Sequence, residues 1–200
     1  MATAFVLGNG RSRLAITPEK LRNAGKLYAC NAVYRDFVPD YLIAVDSKMV
    51  VELNEAGIQH KTAVWTNYNK QTEKFQGLNY LNPSKGWSSG PTALWLASVH
   101  LSESASDKEI YILGFDYTGL ENNKYFNNVY ADTRNYKKSV EPATFFGNWL
   151  LQTEQVIKEF KDIKYYRVIE NGTFVPDWTH LNIEHITYEE FKTRIKYQND

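Results

Sequence analysis

Three groups of residues in this 200-residue chain have the types and spacing to hold an anion or a nucleotide. The first is Gly8-Asn9-Gly10-Arg11-Ser12. Glycines on either side of Asn9 let backbone N–H groups approach a phosphate closely, and the Arg11 guanidinium offers it a fork of donors. Arg13 stands where a dinucleotide fingerprint needs its third glycine, and the Gly-Lys-Ser/Thr of a P-loop is absent, so neither of those motifs is present. A plain glycine turn is the competing reading. The second group is Ser88-Ser89-Gly90-Pro91, in which hydroxyls precede a proline suited to the first helical turn. A helix starting there offers unsatisfied N–H donors and the positive end of its dipole to an anion, unless the serines merely cap it. The third group is scattered: Asn31, Asp46, Asn67 and Asp116 each follow an apolar run. An amide reads donors and acceptors at base or sugar edges, and a carboxylate orients a hydroxyl, holds a metal or acts as a base.

Other chemistries find less support. The four histidines, His60, His100, His180 and His185, have no zinc-like spacing with the lone Cys30, and no Gly-x-Ser-x-Gly elbow is present. Of the four, His180 and His185 flank a loop near Trp178 and are the candidates to enter an active site, with surface or packing roles as the competing reading. No metal site is expected.

The elements that must position these residues are legible as apolar runs. Thr3–Leu7, Leu27–Cys30, Tyr41–Val45, Thr62–Trp65, Glu109–Gly114 and Ile163–Ile169 read as strands buried on both faces. Between them, Thr17–Gly25, Ser47–Ala56, Pro91–Ser102, Phe145–Phe160 and Tyr188–Ile195 read as helices. The alternation predicts an α/β domain over residues 1–200, with a mostly parallel sheet, helices on both faces and residues 176–200 as an appendage. Ligands of such sheets bind beyond the carboxyl ends of the strands, where Asn9, Asn31, Asp46, Asn67 and Asp116 should cluster. The Tyr- and Asn-rich stretch 117–136 is too long for a plain connection and reads as a functional loop or lid.

Composition excludes further classes. Lys plus Arg and Asp plus Glu both total 23, so no overall basic field favours nucleic acid. No window approaches the roughly 20 apolar residues of a membrane span, and no secretory leader opens the chain. The single cysteine, set in an apolar run, points to a buried thiol and a cytoplasmic location.

In combination these motifs resemble the small bacterial CMP-sialic-acid-dependent sialyltransferases, which are Rossmann-like, and more distantly the MptE-like 6-hydroxymethylpterin diphosphokinases. The resemblance runs over roughly residues 4–170 and rests on Gly8-Asn9-Gly10-x-Ser12, Cys30-Asn31, Thr66-Asn67-Tyr68-Asn69, Ser88-Ser89-Gly90 and Glu109-Ile110-Tyr111-x-x-Gly114-x-Asp116-Tyr117. Asp46 stands in the place of a strand-end Asn, and Arg11 in that of a proline. The resemblance implies a nucleotide-sugar-dependent glycosyltransferase, metal-independent, with a nucleoside-monophosphate leaving group. Asn9, Asn31, Asp46, Ser89 and Gly90 would hold the nucleotide, and Tyr125 or Tyr130 would stabilise the departing phosphate. The general-base histidine of that family has no counterpart, because 132–151 contains no histidine; Glu141, Asp132 and His180 are the substitutes. The second family implies instead a magnesium ion held by Asp46 and Asp116. A nucleotide-binding protein without turnover is the third reading.

Overall fold

A computed structural model of the chain describes residues 1–198. The elements in chain order are β1 (Ala2–Leu7), β2 (Lys26–Cys30), β3 (Tyr41–Ile43), α1 (Ser47–Glu55), β4 (Ala63–Thr66), β5 (Leu78–Tyr80), α2 (Ser89–Ser102), β6 (Lys108–Leu113), the single turn α3 (Leu120–Asn123), α4 (Gly147–Glu159), β7 (Ile163–Ile169), β8 (Ile183–Thr187) and α5 (Tyr188–Arg194). All eight strands join one sheet in the order β5-β4-β3-β2-β1-β6-β7-β8, and every pairing is parallel. This is a Rossmann-like α/β architecture. The chain winds from β1 outward to β5, then returns to the other side of β1 to lay down β6. The direction of winding therefore reverses between β1 and β6, the place where such sheets leave a crevice at their carboxyl edge.

The central strands are apolar on both faces, as burial between two layers demands. In β1, Phe5 and Leu7 join one core with Met49, Val50 and Leu53 of α1 and Phe191 of α5. Ala4 and Val6 join the opposite core with Ala93, Leu94 and Ala97 of α2 and Val156 and Ile157 of α4. Helix α2 is apolar nearly all round because it lies between the sheet and α4. Helix α5 starts with a reciprocal capping box between Thr187 and Glu190.

Two strands escape the sequence reading. β5 is only three residues long, and β8 buries Ile183 in one core and Ile186 in the opposite one, with Glu184 and His185 between them. Residues 176–200, expected as an appendage, thus supply the edge strand that pairs with β7, and α5 beneath it. The expected helix after Thr17 is a 3-10 turn over Pro18–Leu21, and the helix expected from Phe145 begins at Gly147. The stretch 117–136 is irregular, and Tyr117, Asn122, Asn123, Asp132 and Asn135 adopt left-handed backbone angles in and around it. No helix among the described residues is long and apolar enough to cross a membrane.

Candidate functional site

At the carboxyl edge, beside the reversal, lies a cavity of about 350 Å³. Its floor comes from the loops after β1 and β6. These two loops pack backbone against backbone: a Cβ on Gly8 would lie 2.6 Å from the Gly114 carbonyl oxygen, and one on Gly10 would strike the Asp116 carboxylate. The glycines of the first motif serve this close approach.

Asp116 decides what the first loop can bind. Its carboxylate accepts from the Ser12 N–H at 3.2 Å, from the Ser12 hydroxyl and from Asn127 Nδ2 at 3.0 Å. The Arg11 N–H is taken by Asn127 Oδ1 at 2.9 Å. The donors expected to cradle a phosphate are therefore committed to the protein's own carboxylate and amide. From below, Arg167, 1% exposed, holds the loop after β6 by donating to the carbonyls of Phe115 at 2.8 Å and Asp116 at 3.0 Å. Burial pulls its guanidinium below its usual pKa.

Asn9 faces the cavity and is only 8% exposed. Its Nδ2 donates to the Cys30 carbonyl at 3.2 Å and to the Tyr136 hydroxyl at 3.4 Å, an orientation fixed because a carbonyl can only accept. Its Oδ1 is left buried with no partner. Asn31, in the left-handed conformation at φ 57°, also lines the cavity and has a buried, unpartnered Oδ1. Orphaned buried acceptors are costly, and two in one cavity mark a place where a donor is missing. Cys30 lies between them, its thiol pushed up to about 12 by burial.

The remaining wall joins a carboxylate, an ammonium and a helix start. The Asp46 side chain caps α1 by accepting from the Lys48 N–H at 2.9 Å, and Lys48 itself lines the cavity. Ser89 accepts the Val45 N–H on its hydroxyl at 3.1 Å, which ties the start of α2 to the end of β3. Ser88 makes no side-chain capping bond. The Ser89 and Gly90 amides, at the first turn of a 14-residue helix, thus lack an intrahelical or capping partner. Phe146 and Trp149, edge to face at 5.5 Å between ring centroids, close the α4 side.

The structure brings together Gly8, Asn9, Gly10, Asn31, Asp46, Ser88, Ser89, Gly90 and Asp116 of the residues singled out by sequence. It does not bring Arg11, Ser12, Asn67, Tyr125, Tyr130 or His180 into the lining. Arg11 is an exposed side chain, and Ser12 is buried against Asp116. Asn67 follows β4, three strands from β1. Tyr125 sits in isolated bridges to Leu120 and Pro142. Tyr130, 4% exposed, is part of the core, its phenol bonded to Asp36 and to Arg13 Nη2 at 3.0 Å. A ring that large gains more from burial than from the loop surface, and its hydroxyl takes the partners available there. His180 lies on the surface, 3.4 Å from Glu154.

Sequence reading missed Lys48, Asn127, Asn135, Tyr136 and Trp149. Lys48 follows the strand-end Asp46 by two residues, where a capped helix start carries a side chain back toward the strand end, and that signal was readable. Tyr136 belongs to the Tyr-rich loop but not to the resemblance. Its hydroxyl accepts from Asn9 Nδ2 and, at 3.4 Å, from the Ala32 N–H. Burial raises its pKa, so the phenol keeps a proton to donate. Among the described residues, no three His, Cys, Asp or Glu side chains gather as a metal site.

No family model matches the chain, and neither a curated protein nor a solved structure matches it.

Proposed function

We propose that the cavity binds a nucleotide and that the protein is a nucleotide-sugar-dependent glycosyltransferase releasing a nucleoside monophosphate. The observation that carries this reading is the coexistence, in one cavity, of two orphaned amide acceptors with an uncapped helix start and a lysine. The acceptors suit a ligand with hydroxyl or amino donors, and the helix start and Lys48 suit an anion on the same ligand. A nucleotide meets both demands.

In the proposed reaction the phosphate rests on the Ser89 and Gly90 amides and Lys48. The acceptor hydroxyl attacks the anomeric carbon, the bond from that carbon to the phosphate oxygen breaks, and the nucleoside monophosphate leaves with the bonding pair. The Tyr136 phenol donates a hydrogen bond to the phosphate as its charge grows. Asp46, exposed in the lining, takes the proton from the acceptor. The diphosphokinase reading needs magnesium on Asp46 and Asp116. Both Asp116 oxygens already accept hydrogen bonds from Ser12 or Asn127, which favours transfer without a metal.

The test combines binding and turnover. A thermal-shift series with CMP, UMP, GMP and AMP, and then with nucleotide sugars, should reveal one stabilising base, since ligand at 100 times its dissociation constant contributes about 2.7 kcal/mol. Release of the matching monophosphate from its nucleotide sugar should persist in EDTA. Lack of stabilisation by every nucleotide overturns the reading; tight binding without release leaves a nucleotide-binding protein; release that requires magnesium moves the assignment to a metal-dependent reaction.

A further inference from the structure

The wall formed by residues 131–137 is attached to the rest of the molecule in an unusual way. Its backbone hydrogen bonds close within the loop: Asp132 N–H to the Lys137 carbonyl, Thr133 to Tyr130 and Tyr136 to Thr133. No strand or helix of the sheet layers pairs with it. Side chains hold it instead, and they converge on Glu52 of α1, which is 5% exposed. Glu52 Oε1 accepts from the Tyr34 hydroxyl at 2.5 Å and from Arg35 Nε at 3.0 Å and Nη2 at 2.6 Å. Its Oε2 accepts from Asn135 Nδ2 at 2.7 Å. Arg35 donates to the Thr133 hydroxyl at 2.6 Å and the Arg134 carbonyl at 2.9 Å, and its guanidinium lies 5.8 Å from the centre of the Tyr136 ring. Arg134 pairs with Glu55 at 2.7 Å.

Three consecutive loop residues, Thr133, Arg134 and Asn135, are thus fastened to Arg35, Glu52 and Glu55. The cavity sits on the other side of this fastening. Asn135 Nδ2 reaches the Lys48 carbonyl at 3.5 Å, and Tyr136 meets Asn9. We propose that Glu52 and Arg35 form a latch that holds 131–137 closed over the cavity, which makes Glu52 a positioning residue for the bound ligand. A segment held by side chains alone belongs to the part of a protein that opens most easily. A ligand that engages Asn9 and Lys48 touches two of the residues that contact the closed segment. Closure and binding therefore favour each other, and linkage requires the same factor in both directions. The step from closure to ligand rests on the nucleotide reading above; the latch does not.

Hydrogen exchange on the full chain, read by mass spectrometry, tests the latch without any ligand. Asn135→Ala removes one exposed side chain, and Glu52→Gln weakens the charged centre. Both should raise exchange across 131–137 by about tenfold or more while the amides of β1 and α2 keep their protection. Unchanged exchange across 131–137 in both variants overturns the latch. Should Glu52→Gln loosen the whole chain, because it leaves Arg35 without its partner, Asn135→Ala alone decides. The coupling is read with CMP as the probe. CMP should slow exchange of 131–137 in the unaltered chain, and its dissociation constant should rise about tenfold in Asn135→Ala. Faster loop exchange with an unchanged dissociation constant overturns the positioning role. Failure of the unaltered chain to bind CMP or any other monophosphate removes the nucleotide reading, and the exchange comparison still decides the latch.

Discussion

Replacing Asp116 by Asn separates a carboxylate that builds the site from one that holds a metal. The Asp116 carboxylate accepts three hydrogen bonds, two from Ser12 and one from Asn127, and Ser12 is 4% exposed. The amide of Asn has the same shape but only one accepting oxygen. Its NH2 group can take the place of Oδ1, facing only the Ser12 hydroxyl, while its oxygen keeps the Ser12 N–H and Asn127 Nδ2, which both donate to Oδ2. A hydrogen bond to a charged acceptor contributes about 1.5–3 kcal/mol, and a buried donor left unpaired costs about 1–3 kcal/mol. Because the Ser12 hydroxyl can rotate and become acceptor to the new NH2, no donor is stranded, and the loss is that of the negative charge from the three bonds. Asp116→Asn should therefore destabilise the fold by about 1–3 kcal/mol, a drop of roughly 2–12 °C in melting temperature for a chain of this size. Urea unfolding monitored by tryptophan fluorescence measures it, with an unchanged m-value as the sign that only stability has moved. A loss below about 0.5 kcal/mol, accompanied by abolished magnesium-dependent turnover, would refute the structural role and place Asp116 on a metal.

Three other outcomes follow from the geometry. Tyr136→Phe should lower turnover by about 10²–10³-fold with nucleotide affinity nearly unchanged, whereas Tyr130→Phe should leave turnover nearly intact and reduce stability by about 1–3 kcal/mol, because its hydroxyl serves Asp36 and Arg13. Steady-state kinetics beside thermal melts distinguish the two, and a larger kinetic effect from Tyr130→Phe would contradict the assignment. Lys48→Ala should weaken a nucleoside monophosphate by about 1.5–3 kcal/mol and the free nucleoside hardly at all, while Arg11→Ala should change neither; calorimetric titration reads both. The third concerns acid. Burial, with Arg167 nearby, pulls the His185 pKa from 6.5 to about 4, and both ring nitrogens lack a partner. A depressed folded-state pKa means that the unfolded chain binds the proton first. Stability contributed by neutral His185 is complete above pH 6.5 and is lost as the pH falls toward 4. His185→Phe should flatten the stability profile across that window, as measured by urea midpoints at pH 7, 6, 5 and 4; an unaltered slope would show that His185 does not carry it.

The sheet edge that carries the candidate site is legible in the sequence. Asn9, Asn31 and Asp46 end apolar runs, and a run that ends in a polar residue marks the carboxyl edge whatever the order of strands. The sheet order itself was not readable, and neither were β5 and β8. A three-residue strand has no periodicity to detect, and Ile183-Glu184-His185-Ile186-Thr187 has neither an alternating face nor an apolar run, because its two isoleucines enter opposite cores. The loop tyrosines were the least legible part. Tyr125, Tyr130 and Tyr136 are alike in sequence, yet one forms bridges at the surface, one joins the core and one reaches Asn9.

The line between the two kinds of information follows the range of the forces. Strand and helix type, the α2 start and the cap at Asp46 are local: they depend on the spacing of apolar residues and on side chains within a few positions of the backbone groups they satisfy. The sequence by itself therefore determined an α/β sheet with its polar loops on one edge. Which donors stay free on that edge is not local. The N–H of Ser12 is taken by Asp116, 104 residues away, and the N–H of Arg11 by Asn127, 116 residues away. Each hydrogen-bonding group has few partners to give, and only the tertiary structure decides who receives them. That allocation takes the donors of the glycine loop and leaves the Ser89 and Gly90 amides and Asn9 Oδ1 without a protein partner.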